Sequence, residues 1–484
     1  MLVDRTIQKI YFLAICGTAM APLAVMLHQK GYKVWGVDDD VYPPMSNFLQ
    51  ENHIPVHIGY NPAHLDDSPD LVVVGNAISR GNPEIEEILN RRISIISLPD
   101  AIREFLIRDH RSIVVTGTHG KTTTTALLAW IFQVAERKPN FLAGGLLANF
   151  GKGFQLAGGT DVILEGDEYD SAYFDKVAKF LRYQPEIGVI NHVEYDHADI
   201  YNSFAEVETA FKRFVNLIPG NGLLVACSDF PTVRAVIARP FCPVQTFGLT
   251  DATADWRAEE IRFAEDQTFF RVLLHGKPQC EVSMVLPGEY NVRNALAAIA
   301  VSRHVQIDWD AIRRAFASFR GVKRRMELKG QIGDIRIYDD FGHHPTAIRE
   351  TLQGFKKHHP ATRVWALFEP RTATTRRNVF QKELADALGL ANRVLIAPVH
   401  RPDKAPVEQT LSCDRLVNDL LALQVFAQCC ESPDAMVDLL CKECRPGDAI
   451  ITFSNGPFGG IHQKLLDRLP GTATGRTDRS IAQV

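Results

Sequence analysis

The chain has 484 residues, 46% of them hydrophobic and 23% charged; at roughly 150 residues per domain it should form about three domains with their own cores, and this composition excludes the disordered and membrane-spanning classes. A formal net charge of −4 argues against a general nucleic-acid binder, because phosphate-backbone affinity needs a basic surface, and no apolar run is long enough for membrane insertion. Nine scattered cysteines, an odd number, and a start from Met1 to Ile10 without a basic-then-apolar leader fit reduced thiols in a cytoplasmic enzyme.

Ile10 to Cys16 is an apolar, β-prone run that stops at Gly17, and Ala19 to Lys30 reads as a helix closed by Gly31. Tyr32 to Val37 is the next strand, followed by Asp38, Asp39 and Asp40, and a later run, Leu71 to Val74, ends at Gly75-Asn76. This rhythm predicts a Rossmann-type domain with a parallel sheet over residues 1–110. The turn Cys16-Gly17-Thr18-Ala19-Met20 lacks the later glycines of a dinucleotide fingerprint, so NAD is not expected there.

A second rhythm, over residues 111–320, starts with the strand Ser112 to Thr116 and a helix from Lys121. Strands are expected at Asp161 to Leu164, Ile187 to Asn191 and Gly222 to Cys227, and helices at Asn291 to Arg303 and Trp309 to Phe319. The third, over 321–470, opens on the basic cluster Lys323-Arg324-Arg325. It continues with strands at Ile335 to Tyr338, Arg363 to Phe368, Arg393 to Ala397 and Ala449 to Phe453. The fold class is therefore α/β in three domains. Residues 471–484 are small and polar and predict a disordered tail. Cys441 and Cys444 form a lone CxxC without a second ligand pair, which reads as a helix end and not a zinc site.

The strongest chemical signal is Gly117-Thr118-His119-Gly120-Lys121-Thr122-Thr123-Thr124, set between a strand and a helix. Such a turn aims backbone N–H groups and the positive end of a helix dipole at a polyphosphate. Lys121 can then meet the β and γ phosphates, and the Thr122 or Thr123 hydroxyl can hold Mg²⁺. The loop is shorter than a Walker loop, because its first glycine lies three residues before Gly120. A metal partner is expected at a strand end, and Glu165, in Glu165-Gly166-Asp167-Glu168, is the leading candidate; a second acid and histidine set spans Asn191 to His197.

These segments, with Asn291-Val292-Arg293-Asn294-Ala295 and Asp339-Asp340-Phe341-Gly342-His343-His344-Pro345-Thr346, resemble the Mur ligases of peptidoglycan synthesis in order along nearly the whole chain. The resemblance implies a Rossmann-like N-terminal UDP-sugar domain, a central P-loop ATPase domain and a C-terminal Rossmann-like peptide domain. It implies ATP and Mg²⁺, with Lys121 on the phosphates, Thr122 and Glu165 on one metal and His197 on a second. Asn291 and Asn294, and Arg325 and Asp340 from the third domain, would reach the nucleotide. Gly17, Thr18, Asp38 and Asn76 would line the UDP-sugar site, and His343 and His344 lie where a base for the amine is needed.

Two departures stand out. Tyr290 replaces the family's usual histidine before Asn291, and Lys212 falls near the position of a carbamylated lysine found in some members, although its context favours a surface helix lysine. Glu369-Pro370-Arg371 and Ser454 to His462 look most like the branch that joins UDP-N-acetylmuramate to the murein tripeptide L-Ala-γ-D-Glu-meso-diaminopimelate, with Arg371 on a peptide carboxylate. The L-alanine-adding branch is the alternative, and a P-loop switch that only hydrolyses ATP is the reading from another class.

Overall fold

The computed structural model describes residues 7–43, 45–264, 267–404 and 406–469. The tail expected at 471–484 lies outside the described residues. Three large sheets follow one another along the chain, and a two-stranded ribbon, Asp170–Ala172 with Asp175–Ala178, accompanies the central one.

The first sheet is wholly parallel, in the spatial order Val56–Ile58, Lys33–Asp38, Lys9–Leu13, Leu71–Val74, Ile95–Ser97. Its strands are short apolar runs because both faces are covered; Ile10 to Leu13 and Leu71 to Val74 are fully buried. The strand order reverses between Lys9–Leu13 and Leu71–Val74. That reversal leaves a crevice beyond their carboxyl ends, where Gly17-Thr18 and Gly75-Asn76 lie.

The central sheet has ten strands. Its parallel part runs Val244–Gly248, Leu223–Cys227, Ile187–Ile190, Arg111–Thr116, Asp161–Glu165, Asn140–Leu147. An antiparallel extension, Trp256–Ala264, Gln267–Leu274 and Lys277–Met284, continues one edge, and Lys152–Gln155 closes the other. The helix Glu289–His304 is buried around most of its circumference, from Asn294 to Ser302 without a break. It lies between the helix Lys121–Val134 and the strands Leu223–Cys227 and Val244–Gly248, which is why its sequence is alanine-rich: small side chains let the layers approach. The cluster it joins holds Phe132, Phe141 and Phe247 at zero exposure, each contributing about 1.5–3 kcal/mol by burial.

The third sheet orders Glu327–Ile332, Ile335–Asp340, Ala449–Phe453, Val364–Phe368, Arg393–Ile396 and Phe426–Cys429, parallel except at its first pair. Cys441 and Cys444 stand at the end of the helix Pro433–Glu443, as free thiols. Among the described residues no helix is long and apolar enough to cross a membrane.

Candidate active site

The strand Arg111–Thr116 stops at a turn that only glycine can make at two positions. Gly117 has φ +123° and a Cβ there would come within 2.9 Å of the His192 backbone; Gly120 has φ +79° and its Cβ would fall 2.3 Å from the Asn294 carboxamide oxygen. Gly120 is the N-cap of the helix that starts at Lys121, so the first turn's free N–H groups face the crevice beyond the sheet. Thr118 locks the turn to the neighbouring strand end: its N–H donates to the His192 carbonyl at 2.7 Å, and its hydroxyl accepts from the Glu194 N–H at 2.9 Å.

Below the turn a chain of carboxamides is oriented. Asn291 donates to the Pro287 carbonyl at 2.7 Å, Asn294 donates to Asn291 at 3.1 Å, and Asn191 donates to the Thr124 hydroxyl at 3.0 Å. Tyr290, at the entrance of the same helix, lines the cleft, and burial raises its hydroxyl pKa.

Lys121 is held by the Gly117 carbonyl at 2.9 Å and by Glu168 Oε2 at 2.6 Å. Burial opposes its charge, but Glu168, Asp167 and Glu165 outweigh burial and raise its pKa. Glu165 uses both oxygens: Oε1 accepts from the Thr122 hydroxyl at 3.0 Å and Oε2 from the Gly144 N–H at 2.8 Å. Glu168 differs, because its buried Oε1 has no hydrogen-bond partner and its Oε2 lies 4.0 Å from His197 Nε2. Asp167, Glu168 and His197 each offer a ligand atom within 4.8 Å of the others. The acids beside His197 are thus Asp167 and Glu168, while Glu165 stays with Thr122 as expected. A buried carboxylate oxygen with an open coordination side, a second acid and an imidazole fit a divalent cation, and Thr122 with Glu165 adds oxygen donors on the loop side. His197 sits at φ +56°, a left-handed conformation uncommon for a non-glycine residue and frequent where function constrains the backbone.

The third sheet closes over this floor. Thr374 donates to Asp196 Oδ1 at 2.9 Å, Arg377 donates to the Ala198 carbonyl at 2.7 Å, and Thr346 donates to Glu194 Oε1 at 3.0 Å. The enclosed cleft of about 670 Å³ is lined by the phosphate turn, Thr18, Asn291, Asn294, Arg325, Asp340 and His343, among others. Asp340 accepts from the N–H groups of Gly342 and Met326 at 2.7 and 2.9 Å, and burial raises its pKa against the pull of Arg325. Arg325 itself rests 5.2 Å from the Phe341 ring centre.

The two histidines separate into different roles. His344 caps the helix Pro345–His358, accepting from the Thr346 N–H at Nδ1 (3.2 Å) while Nε2 faces the Tyr195 carbonyl at 3.2 Å. Both nitrogens are committed and burial pushes its pKa down to about 4. This corrects its expected place as a base; it positions the helix. His343 donates from Nδ1 to the Phe341 carbonyl at 3.2 Å, which leaves the lone pair of Nε2 free, 3.8 Å from Asp196 Oδ2. Burial lowers its pKa and Asp196 opposes the shift.

Two of the expected UDP-sugar residues make structural contacts. Asp38 accepts from the Cys16 N–H at 2.9 Å and so shapes the turn that carries Gly17 and Thr18, and Asn76 donates to Asp170 at 2.8 Å, tying the first sheet to the acidic segment. Arg371 lies over Gly456, where a Cβ would fall 2.3 Å from its Nε, and beside Glu369 at 3.5 Å. Lys212 is half exposed and pairs with Glu208 at 3.0 Å one helical turn away, so its contacts are those of a surface helix lysine. Sequence reasoning missed Glu168, Asp167 and Glu194 as members of the site; the only sequence signal was their place in the two acid-bearing strand ends.

Three family profiles match the chain in succession: "Mur ligase family, catalytic domain" over residues 9–110, "Mur ligase middle domain" over 115–302 and "Mur ligase, glutamate ligase domain" over 324–456. A UDP-N-acetylmuramate–L-alanyl-γ-D-glutamyl-meso-2,6-diaminoheptandioate ligase of Haemophilus influenzae is 37% identical over 463 residues, covering 96% of this chain and 99% of the relative. The chain belongs to the Mur ligase family. A UDP-N-acetylmuramate–L-alanine ligase of Methylococcus capsulatus is 32% identical over 476 residues, with 97% and 98% of the two chains covered. The crystal structure of a murein peptide ligase from Psychrobacter arcticus superposes with a TM-score of 0.70 at 34% identity, over 96% of this chain and 99% of that one. This Mur ligase is thus an ATP-dependent amide-forming enzyme of three-domain α/β fold.

Proposed function

We propose that this Mur ligase joins UDP-N-acetylmuramate to the tripeptide L-Ala-γ-D-Glu-meso-diaminopimelate in peptidoglycan recycling, with residues 1–110 taking the UDP-sugar, 111–320 ATP and 321–470 the peptide. The observation that carries the reading is full-length identity of 37% to a tripeptide ligase against 32% to an L-alanine ligase. The chemistry consumes ATP, and we place it in the cytoplasm.

The sugar's lactyl carboxylate attacks the γ-phosphorus of ATP, ADP leaves, and the resulting acyl phosphate is attacked by the peptide amine, which expels phosphate. Two anions must meet in the first step. The N–H groups of the Gly117–Lys121 turn and the Lys121 ammonium take up phosphate charge, while Asn291 and Asn294 form a preset surface for the nucleotide and Arg325 and Asp340 approach it from the third domain. Mg²⁺ held by Thr122, Glu165, Glu168 and His197 would offset the remaining charge. His343 lines the cleft and donates from Nδ1 to the Phe341 carbonyl, which leaves the Nε2 lone pair as the candidate acceptor for the amine's proton. The contacts Thr346–Glu194 and Thr374–Asp196 support closure of the third domain, which keeps water from the acyl phosphate. Arg371 offers a fork of donors for a peptide carboxylate.

The test is a product assay: purified protein, ATP, Mg²⁺ and UDP-N-acetylmuramate, offered tripeptide or L-alanine in parallel. The tripeptide adduct should dominate the product masses. Preferential formation of the L-alanine adduct would assign the chain to the other branch, and ATP turnover that needs no carboxylate would point to a hydrolytic switch.

A further inference from the structure

Next to the phosphate turn, and separate from the Asp167, Glu168 and His197 group, lies a second set of ligand-bearing side chains. His119 comes from the turn itself; His192 and Glu194 come from the strand end after Ile187–Ile190. One ligand atom from each lies within 4.8 Å of the others. His119 Nε2 is 2.7 Å from Glu194 Oε2, and His192 Nε2 is 3.6 Å from Glu194 Oε1.

We propose that His119, His192 and Glu194 form a binding site for a borderline divalent transition metal, with Zn²⁺ as the fitting ion and a water in the fourth position. Two imidazoles and one carboxylate are a donor set that such ions take in tetrahedral geometry, whereas Mg²⁺ prefers an all-oxygen octahedron. At Zn–ligand distances of about 2.0 Å, neighbouring donors in a tetrahedron stand about 3.3 Å apart. The observed 2.7 and 3.6 Å run to the two different Glu194 oxygens, and the three ligand atoms lie within 4.8 Å of one another, so a turn of the Glu194 carboxylate and inward movement of the two rings would bring one oxygen and both imidazoles onto a common centre.

The surroundings are also those of a metal site. The His192 ring is buried and stacked on Phe230, with ring centres 3.7 Å apart, which fixes its plane. The Thr346 hydroxyl donates to Glu194 Oε1 at 3.0 Å, orienting the carboxylate as outer partners of metal ligands commonly do. His344 is close, its Nδ1 3.6 Å from Glu194 Oε2, but that nitrogen already accepts from the Thr346 N–H. It is not counted as a ligand. His119 Nε2 lies in hydrogen-bond contact with Glu194 Oε2; coordination through Nε2 takes the neutral tautomer with its proton on Nδ1, and Glu194 supplies the only negative ligand. A bound ion would fasten the phosphate turn to the neighbouring strand end and, through Thr346, to the third domain.

Zn²⁺ is titrated into the full chain in saturating Mg²⁺ against a chromophoric chelator, and Co²⁺ is added separately to read the visible absorption of a tetrahedral centre. The wild type should bind one Zn²⁺, gain thermal stability on binding and give the Co²⁺ spectrum. His192→Asn, which keeps the His119–Glu194 pair, should weaken Zn²⁺ binding at least about tenfold and lose the spectrum while retaining basal ligation; Glu194→Gln should do the same to binding. No stoichiometric binding in excess Mg²⁺, or equal affinity in wild type and His192→Asn, overturns the site. If Glu194→Gln proves poorly folded, the His192→Asn result alone decides.

Discussion

Glu168→Gln isolates the charge of a buried acid beside the phosphate turn whose Oε1 has no hydrogen-bond partner. Glutamine has the same size, and its carbonyl can still accept from Lys121 Nζ, now 2.6 Å away. What is lost is the charge of that bond, worth about 1–2 kcal/mol on the difference between charge-assisted and neutral hydrogen bonds. Asp167 and Glu165 still face Lys121, so the variant should fold, with a urea midpoint lowered by an amount of that size. Catalysis should suffer more. The amide NH₂ must point where Oε1 now points, and a donor there cannot ligate a cation. Removing one preorganised electrostatic group costs roughly 3 kcal/mol of transition-state stabilisation, or about a hundredfold in turnover, with a higher Mg²⁺ concentration at half-maximal rate. Product formation followed against Mg²⁺ concentration reads both quantities. A Mg²⁺ curve that overlays the wild type, with turnover within threefold, would refute the assignment of Glu168 and leave it only a partner of Lys121.

Lys121→Ala should abolish ligation, below a tenth of wild-type turnover by product assay, while circular dichroism shows the fold retained and the urea midpoint falls, because Glu168 loses its buried partner. Glu165→Ala should raise the Mg²⁺ requirement and depress turnover, but less than Glu168→Gln, since both its oxygens already have protein donors; a larger effect at Glu165 would reverse the order argued above. Arg371→Ala should raise the tripeptide KM more than about tenfold, as for a lost bidentate carboxylate contact, and leave the UDP-N-acetylmuramate KM nearly unchanged; equal losses for both substrates would place specificity elsewhere. Acid should destabilise the fold through His192, whose pKa burial pushes down to about 3 from about 6.5 unfolded. Between those values the unfolded chain binds a proton that the folded chain does not, so stability is full above pH 6.5 and falls as pH drops, by up to about 1.4 kcal/mol per unit. His192→Asn should flatten the urea midpoint between pH 6.5 and 5, and an unchanged slope would show that other groups carry it.

The fold was legible where strands are short apolar runs bounded by glycine: Leu71–Val74 and Ala449–Phe453 coincide with the expected spans, and the helix start at Lys121 was set by Gly120. The antiparallel strands between Trp256 and Met284 were not separated, because their exposed face carries Glu259, Arg271 and Glu281 and only half of each strand is apolar. Asn140–Leu147 was hidden by Gly144 and Gly145, which the Glu165 carboxylate and Thr122 approach closely. At the site, the phosphate turn was readable because backbone geometry dictates its glycines. The roles of Glu165 and Glu168 were not, since the two differ only in which donors reach them, Thr122 and Gly144 for one and Lys121 for the other. His343 and His344 likewise look alike in sequence, and the helix cap alone separates them.

Transfer of an oxygen atom tests the chemistry most directly. UDP-N-acetylmuramate carrying ¹⁸O in its lactyl carboxylate is incubated with ATP, Mg²⁺ and the tripeptide, and the released phosphate is analysed by mass. An acyl phosphate requires one ¹⁸O in each phosphate, formed in step with the amide product; phosphate without label would contradict activation of the carboxylate and with it the reading of this cleft.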